Sequence, residues 1–328
     1  MRAGGAYIDR CVRRAVGVAL IVFASVPVAR ADDAATQWLN RVAKAARELN
    51  YVGTIVYQSG PRVETSRLVH INENGRELEK LVNLDGPARE VIRSQFEVRA
   101  YYPDTKIVRI MPRTFKNVFP SLSAEQQRSL AQYYDFRVAA TERVGGRSTE
   151  VVAFEPKDGM RYGHRFWADT ETGLLLKARL VDERGEVVEQ FAFTDLVISP
   201  KIDRALVEPT WPTSPPDWQI RQGSGGEVVP RDTGWMAKPP PGFTKIMEGF
   251  RTVRGHNDPV AHLVYSDGLV SVSVFVEPMT GAVVQPRGHL QQGGLSVYLV
   301  RVGDNLVTVL GDVPVATVLA IGNSVARR

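Results

Sequence analysis

The stretch YGHRFWADTETGLLLKARLVDERGEVVEQFAFT, from Tyr162 to Thr194, decides the fold of the larger part of this chain. It holds three runs in which apolar and polar residues alternate, separated by short segments that contain Gly173 and Gly185. Glycine readily adopts the positive φ angles that tight hairpin turns need. The stretch therefore predicts three consecutive antiparallel strands. It excludes a doubly wound parallel sheet, whose strands need long helical crossovers.

The same alternation predicts one apolar and one polar face for this sheet. In the middle run the even-numbered residues from Leu174 to Leu180 are apolar, whereas Lys177 and Arg179 are basic. Successive side chains of a strand point to opposite sides, so the two sets are expected on different faces. An antiparallel sheet tolerates one solvated face in this way.

Residues 1–31 have the pattern of a secretory signal peptide. Arginines precede an apolar run from Ala15 to Val28, and Ala29-Arg-Ala31 supplies the small residues of a cleavage site. The apolar run is shorter than the roughly 20 residues of a spanning helix, which argues against a membrane anchor. The pattern predicts export to a bacterial-type periplasm.

Charge and cysteine content narrow the class of protein further. The full chain has 41 Lys and Arg against 36 Asp and Glu, but the predicted signal peptide holds five arginines and one aspartate. Its removal leaves 36 basic and 35 acidic residues, which argues against a nucleic-acid partner. Cys11, the single cysteine, also leaves with the signal peptide, so no disulfide is expected.

The rest of the chain is predicted to form two α+β domains. A large curved antiparallel sheet with a few helices is predicted for residues 32–199, and a smaller α+β domain for residues 232–328. Between them, residues 200–231 are rich in proline and glycine, which is typical of a linker. A capping box at Ser123–Gln126 predicts a short helix, and Asp312 is expected to cap the last helix of the chain.

Nothing in the sequence is spaced like a catalytic or metal centre. The five histidines are scattered, and without cysteine in the mature chain a metal site would need clustered carboxylates. Ser266, Asp267 and His262 are close in sequence, but Ser266-Asp-Gly is typical of a hairpin turn rather than of a nucleophile elbow. The chain is predicted to need no cofactor or metal and not to be an enzyme. A hydrolase is therefore the weakest interpretation of its function.

Several longer motifs occur in a fixed order along the mature chain. They are Leu49–Tyr57, Leu81–Arg93, Tyr102–Asp104, Arg143–Arg147, Pro156–Asp158, the stretch Tyr162–Thr194 and Tyr265–Glu277. Together they resemble the RseB/MucB family of periplasmic regulators of the envelope-stress sigma factor. The resemblance covers nearly all of the mature chain and implies a first domain similar to the LolA and LolB lipoprotein carriers.

The resemblance also implies a function without catalysis. Members of the family bind the periplasmic segment of a membrane-spanning anti-sigma factor of the RseA or MucA type and shield it from the site-1 protease. Lipid signals, lipopolysaccharide above all, are expected to release the regulator. The alternative is a lipid or lipoprotein carrier, which needs no second domain. The sequence leaves the oligomeric state open, a homo-oligomer included.

Two groups of residues are candidates for the binding site. An apolar sheet face suits acyl chains or apolar anchors of a peptide, although ordinary core is an equally good interpretation of each ring. The aromatic candidates are Tyr101, Phe166, Trp167, Phe191 and Phe193, with Phe115 and Phe119 on a loop. The basic candidates are Arg165, Lys177 and Arg179. These basic residues suit lipid phosphates or an acidic peptide, or they form a solvated face.

Overall fold

A computed structural model describes residues 29–112, 130–222, 228–252, 259–279 and 288–328. In these ranges the chain forms two large sheets, a small strand pair and a few helices, so the predicted α+β class is confirmed. Nearly all of the predicted signal peptide lies outside the described residues, as does the capping box, although residues 130–133 are helical. No helix in the described ranges is long and apolar enough to cross a membrane.

The first sheet has 13 strands in the described part of the chain. All neighbouring strands run antiparallel except β13, which pairs with β6 in parallel. The order is β13-β6-β5-β4-β3-β2-β1-β12-β11-β10-β9-β7, with β8 paired to β9. The strands are β1 Tyr51–Ser59, β2 Arg62–Glu73, β3 Arg76–Asn83, β4 Glu90–Arg93, β5 Glu97–Tyr102, β6 Ile107–Pro112, β7 Tyr134–Val138, β8 Glu142–Val144, β9 Arg147–Pro156, β10 Gly163–Asp169, β11 Leu175–Val181, β12 Val187–Ile198 and β13 Gln219–Gln222.

The three strands predicted from residues 162–194 are β10, β11 and β12, and they neighbour one another in the predicted order. Gly173 and Gly185 lie in the two connecting turns with φ angles of +78° and +80°. A residue with a Cβ atom is strained in this region, which explains the glycines. The central architectural prediction is confirmed.

A β-bulge changes one detail of the predicted alternation. Trp167 pairs with Lys177, but the next residue, Ala168, pairs with Leu175, so Leu176 is left out of register. Leu175 therefore packs beside Ala168 in one apolar cluster, and Leu176 belongs to a second cluster with Leu174. The prediction that the even-numbered residues from Leu174 to Leu180 share a face is wrong at the start of β11.

Cross-strand partners share a face of a sheet, so the register divides the side chains of the first sheet between two faces. One face, called the helix face because helix α1 (Ala29–Glu48) packs on it, carries across four neighbouring strands Phe166, Ala178, Phe191 and Tyr57. The opposite face, called the linker face, carries at the adjoining positions Arg165, Arg179, Gln190 and Gln58.

Helix α1 covers the helix face over β9, β10 and β11. Its apolar residues Trp38, Leu39 and Val42 are buried against Phe166 and its neighbours. The rings of Trp38 and Phe166 stack with centroids 5.9 Å apart, and the indole Nε1 donates a hydrogen bond to Glu150 Oε2 at 2.9 Å. Helix α1 thus supplies the cover for the apolar face.

Most of the predicted linker packs on the linker face of the first sheet. A short 3-10 helix, Arg204–Val207, buries Val207 against Val52, Val69 and Ile71. The ring of Trp211 stacks on that of Tyr101 at a centroid distance of 6.0 Å, and β13 then adds to the sheet edge beside β6. Residues 200–222 are therefore held in place by the first sheet.

A polar bridge fixes this segment as well. The carboxylate of Glu90 is 1% exposed; it accepts hydrogen bonds from Thr210 N at 2.8 Å and Thr210 Oγ1 at 2.5 Å. Lys80 Nζ lies 3.0 Å from Glu90 Oε2 and also donates to the backbone oxygen of Glu208. A buried carboxylate needs such partners, because an unpaired one is costly.

Replacing Thr210 with valine is expected to lower the free energy of unfolding by about 2 kcal/mol, because a hydrogen bond to a buried charged group is lost. Chemical denaturation measures this loss. Thr213→Val is the matched control, since Thr213 is exposed in the same segment and should change little. Equal stability of the two variants would show that Glu90 does not hold the segment.

The second sheet has seven strands in the described residues, in the order β14-β16-β17-β18-β21-β20-β19. Its strands are β14 Val229–Pro230, β16 Thr244–Arg251, β17 Val260–Ser266, β18 Ser271–Pro278, β19 Gly288–Gln292, β20 Leu295–Val302 and β21 Asn305–Gly311. A separate pair joins β15 Trp235–Met236 to β22 Ala326–Arg327. Helix α2, Val315–Asn323, packs its fully buried Val318 and Ile321 on the sheet.

The start of α2 differs from the prediction. Asp312 is not the N-cap; Pro314 occupies that position and no side chain caps the helix. Val313 is completely buried between the aspartate and the proline, so the chain enters the helix through the core. Proline close to a helix start is favourable because its fixed φ angle suits the first turn.

Candidate functional site

The three basic candidates lie together on the linker face. Arg165 and Arg179 are direct cross-strand partners on β10 and β11, and Lys177 pairs with Trp167 next to them. Lys177 Nζ lies 4.5 Å from the centroid of the Trp167 ring, and Arg179 Cζ lies 5.3 Å from it. The three cations therefore lie close together, as the sequence predicted, and their role as a binding site stays a prediction. They are called the cationic row below.

The cationic row has few compensating charges. Arg179 Nε donates to the neutral Gln190 Oε1 at 2.8 Å, and no ion pair joins Arg165 or Arg179 to a carboxylate among the described residues. Glu142, whose charge acts on Lys177, accepts a hydrogen bond from Trp167 Nε1 at 2.8 Å. Partial burial is the main cause that lowers the pKa of Lys177, and the positive charge of Arg179 lowers it further. The negative charge of Glu142 acts in the opposite direction.

The aromatic candidates divide between the two faces. Phe166, Phe191 and Phe193 are on the helix face, where Phe166 and Phe193 are buried and Phe191 is half-buried. Trp167 is on the linker face, 3% exposed beneath the cationic row, and Tyr101 is fully buried under Trp211 on the same face. A ligand can contact most of these rings only if it displaces the side chains that cover them. Phe115 and Phe119 lie outside the described residues.

An apolar strip continues the helix face away from α1. Leu68 pairs with Leu81, which pairs in turn with Val91, and Ile55 lies two residues from the partner of Leu68 on β1. All four side chains are only half-buried. Residue types alone did not single out this strip, because each strand shows the ordinary alternation of a sheet.

The junction of the two domains contains a buried ion pair that the sequence did not predict. Arg161 Nε lies 3.0 Å from Asp267 Oδ2, and both side chains are at most 1% exposed. Tyr134 donates from its hydroxyl to the same oxygen at 2.8 Å, and Arg161 also donates to Asp158 Oδ2 at 2.5 Å. The guanidinium of Arg161 lies 4.5 Å from the Tyr133 ring centroid.

Further contacts join the domains; they come from the loop before β10 and from the helix face of the first sheet. Thr317 Oγ1 donates to the backbone oxygen of Met160 at 2.6 Å, and Gln291 Nε2 donates to the Tyr162 hydroxyl at 2.9 Å. A Cβ atom at Gly294 would lie 2.8 Å from Leu180 Cδ2, so this glycine permits a close approach. Leu180 pairs with His164, which places this contact on the helix face.

His164 lies buried next to this junction. Its ring stacks on Phe166 at 5.7 Å and its Nε2 has no hydrogen-bond partner. Burial lowers the pKa of His164 to about 4, although the charge of Asp267 acts in the opposite direction. The imidazole is therefore neutral in the folded protein at neutral pH.

Replacing His164 with phenylalanine is expected to weaken the pH dependence of stability. The unfolded histidine takes up a proton near pH 6.5 while the folded one stays neutral to about pH 4, so the folded state loses up to about 3 kcal/mol as the pH falls through this window. Urea midpoints at about pH 7.5 and about pH 4.5 measure the difference between variant and wild type.

His289→Phe, at an exposed position, is the matched control for this experiment and should keep the wild-type slope. Burial raises the pKa values of Glu189 and Asp312, so protonation of these two carboxylates stabilises the folded state as the pH falls. This effect is the same in the variant and in the wild type, so it cancels when their pH dependences of stability are compared. A His164→Phe variant with the full wild-type slope would contradict the expected role of this histidine.

The residues considered for a hydrolase do not meet as a catalytic triad. Ser266 Oγ donates to the backbone oxygen of Val270 at 2.8 Å, and His262 Nε2 lies 3.1 Å from Ser273 Oγ. Asp267 holds Arg161. In the described ranges no three His, Cys, Asp or Glu side chains are grouped to hold a metal ion.

A large sheet with two distinct faces, joined through a buried ion pair to a second β-rich domain, defines a two-domain α+β protein. The sequence matches the MucB/RseB N-terminal domain over residues 34–211 and the MucB/RseB C-terminal domain over residues 229–326. The chain therefore belongs to the MucB/RseB family of sigma factor regulatory proteins, and the resemblance found in its motifs is confirmed.

Named relatives and solved structures agree with this assignment. The sigma factor AlgU regulatory protein MucB of Pseudomonas aeruginosa is 32% identical over 318 residues, covering 92% of this chain and 93% of the relative. The sigma-E factor regulatory protein RseB of Salmonella typhimurium is 31% identical over 304 residues, covering 92% and 93%. A crystal structure of MucB in complex with MucA(peri) matches with a TM-score of 0.68 at 32% identity, over 90% of this chain and 99% of that one.

Proposed function

We propose that this chain binds the periplasmic segment of a membrane-spanning anti-sigma factor, shields the segment from the site-1 protease and so keeps the envelope-stress sigma factor inactive. The observation that carries the proposal is the similarity to MucB in complex with MucA(peri), which extends over 90% of this chain. Both domains take part in the match, so the likeness concerns the whole regulator and not only its larger sheet. The signal-peptide pattern of residues 1–31 supports a periplasmic location.

The proposed function involves no catalysis. Binding and shielding require surfaces and a defined arrangement of the two domains rather than reacting groups. The buried Arg161–Asp267 pair supports such an arrangement, because it links the first sheet to the turn after β17. The division into residues 32–199, 200–231 and 232–328 is part of the proposal, with the first part of the linker packed on the first sheet.

Release by lipopolysaccharide or another acylated lipid is the second part of the proposal. The apolar strip of Ile55, Leu68, Leu81 and Val91 is half-buried and lies on the face that already accommodates apolar side chains of α1. Ligand sites for apolar molecules are commonly lined in this way, with few polar groups. Phe191 and Phe193 border the strip on β12 and are the aromatic candidates best placed to contact a lipid there.

The carrier alternative is less well supported. A carrier needs no second domain, whereas residues 229–326 match the C-terminal domain of the family and are joined to the first domain by buried contacts. Deletion of this domain separates the two functions, because a carrier should keep its lipid binding and a regulator should lose affinity for its peptide.

A titration tests the proposal. The mature chain is added to the fluorescently labelled periplasmic segment of the anti-sigma factor, and anisotropy reports binding with and without lipopolysaccharide. We expect saturable binding that lipopolysaccharide weakens. Absence of binding at saturating protein would refute the proposed function, and binding that is insensitive to lipid would refute only its second part. Sedimentation of the same samples reports whether the regulator is a homo-oligomer.

A further inference from the structure

The cationic row and the apolar strip lie on opposite faces of one sheet. Arg165 and Arg179 share the linker face with Gln190 and Gln58, whereas Ile55 and Leu68 belong to the helix face. Where the second domain contacts strands of the first sheet, it contacts helix-face residues such as Leu180. A ligand seated on the apolar strip is therefore separated from the cationic row by the thickness of the sheet.

The cationic row is costly to the folded protein. Like charges directly opposite each other on neighbouring strands are destabilising, and Arg165 and Arg179 are such a pair. Other cations on the same face have acidic partners: Arg67 Nη1 lies 2.8 Å from Asp195 Oδ2, and Lys80 pairs with Glu90. Arg165 and Arg179 have no acidic partner among the described residues, and the charge of Glu142 acts on Lys177 without an ion pair between the two. This shortage of acidic partners points to an anion supplied by a ligand.

We propose that Arg165, Lys177 and Arg179 form an anchoring surface for an acidic, extended stretch of the anti-sigma segment, while apolar ligands act on the opposite face. This inference rests on the proposed function and specifies where the peptide is held. It also separates the two ligands that the sequence assigned to one site.

The spacing of the row suits an extended peptide. Arg179 and Lys177 are two residues apart on β11, a distance of about 7 Å, which is also the spacing of side chains on one side of an extended chain. Acidic residues at alternate positions can therefore meet both cations, and Arg165 lies directly beside Arg179. The amide pair Gln190–Gln58, joined by a 2.8 Å hydrogen bond, continues the polar surface toward β1.

A lipid headgroup fits this surface less well than a peptide does. The aromatic ring beneath the cations, Trp167, is 3% exposed and offers no apolar surface for acyl chains. The half-buried apolar strip is on the other face. If each ligand uses its own face, lipid releases the peptide through a change in the protein and not by taking its place.

The test compares two triple variants of the mature chain. In the first, Arg165, Lys177 and Arg179 are all replaced by glutamine; in the second, a control with the same change in charge, the exposed residues Arg76, Arg184 and Lys201 are replaced instead. Labelled peptides that tile the anti-sigma segment are titrated by anisotropy at two salt concentrations. Vesicles of anionic phospholipid and inorganic pyrophosphate are separate probes, and circular dichroism confirms folding.

We expect the first variant to bind the acidic peptide at least tenfold more weakly and with less salt dependence, while the control binds like wild type. Undiminished peptide binding by the first variant, with wild type binding well, would overturn this inference and leave the proposed function intact. Loss of vesicle or pyrophosphate binding with peptide binding unchanged would also overturn it. If wild type bound no peptide, the inference and the proposed function would both fail.

Discussion

Replacing Arg161 with methionine is expected to lower the free energy of unfolding by about 3–5 kcal/mol, because the carboxylate of Asp267 is left buried without its cation. Both side chains are at most 1% exposed, so water cannot replace the lost partner. Tyr134 still donates to Asp267 but carries no charge, since burial and the neighbouring carboxylate hold the pKa of its hydroxyl well above the usual value. Urea denaturation measures the loss.

Two further variants make this result specific. The double variant Arg161→Met with Asp267→Asn lacks the isolated buried charge. Its loss in the free energy of unfolding should be much smaller than the sum of the losses in the two single variants. Arg301→Met is the matched control, because the Arg301–Asp304 pair is 61% and 98% exposed and such pairs contribute less than about 1 kcal/mol. Equal losses at Arg161 and Arg301 would mean that the junction pair does not hold the domains together.

Replacing Trp38 with alanine is expected to destabilise the protein by about 3–5 kcal/mol, the usual cost of removing a large buried aromatic side chain. Trp38 is 6% exposed, stacks on Phe166 and donates a hydrogen bond to Glu150. Its loss leaves a cavity between α1 and the helix face. Binding of an apolar fluorescent dye should therefore increase at the same time as stability falls.

Trp38→Phe is the control, because it keeps an aromatic ring on the face and should lose less than half as much stability. Chemical denaturation and dye titration on the two variants separate loss of packing from opening of the apolar face. If Trp38→Ala were as stable as Trp38→Phe, helix α1 would not be the cover of this face.

The strands and the two faces of the first sheet follow from local patterns that are visible in the sequence. Alternation and the two turn glycines predicted β10, β11 and β12, and the same alternation placed Lys177 and Arg179 on one face, to which the register adds Arg165. The bulge that removes Leu176 from the register could not be predicted, because a bulge depends on how two strands meet and not on either strand alone.

Other elements of the structure also lack a clear local signal in the sequence. Strand β4 is only four residues long, and β19 carries three exposed polar residues, so neither shows a clear apolar period. Strands β7 and β8 are separate elements because they pair with different parts of β9. Asp312 resembled an N-cap, but tertiary packing of Val313 sets the start of α2.

The buried ion pair at the domain junction could not be predicted from the sequence for a different reason. Arg161 and Asp267 are separated by 106 positions in the sequence. In the sequence Asp267 shows only the pattern of a hairpin turn, and in the structure its Oδ1 accepts hydrogen bonds from the backbone N–H groups of Leu269 and Val270. A long-range ion pair leaves no periodic signal in a single sequence.

The measurement that tests the proposed role most directly is the rate at which the site-1 protease cleaves the anti-sigma periplasmic segment. With saturating mature chain we predict at least a tenfold slower cleavage, restored when lipopolysaccharide is added, and an intermediate rate with the variant that lacks the cationic row. Cleavage at the uninhibited rate, despite a correctly folded regulator in excess, would contradict the claim that this protein shields its partner.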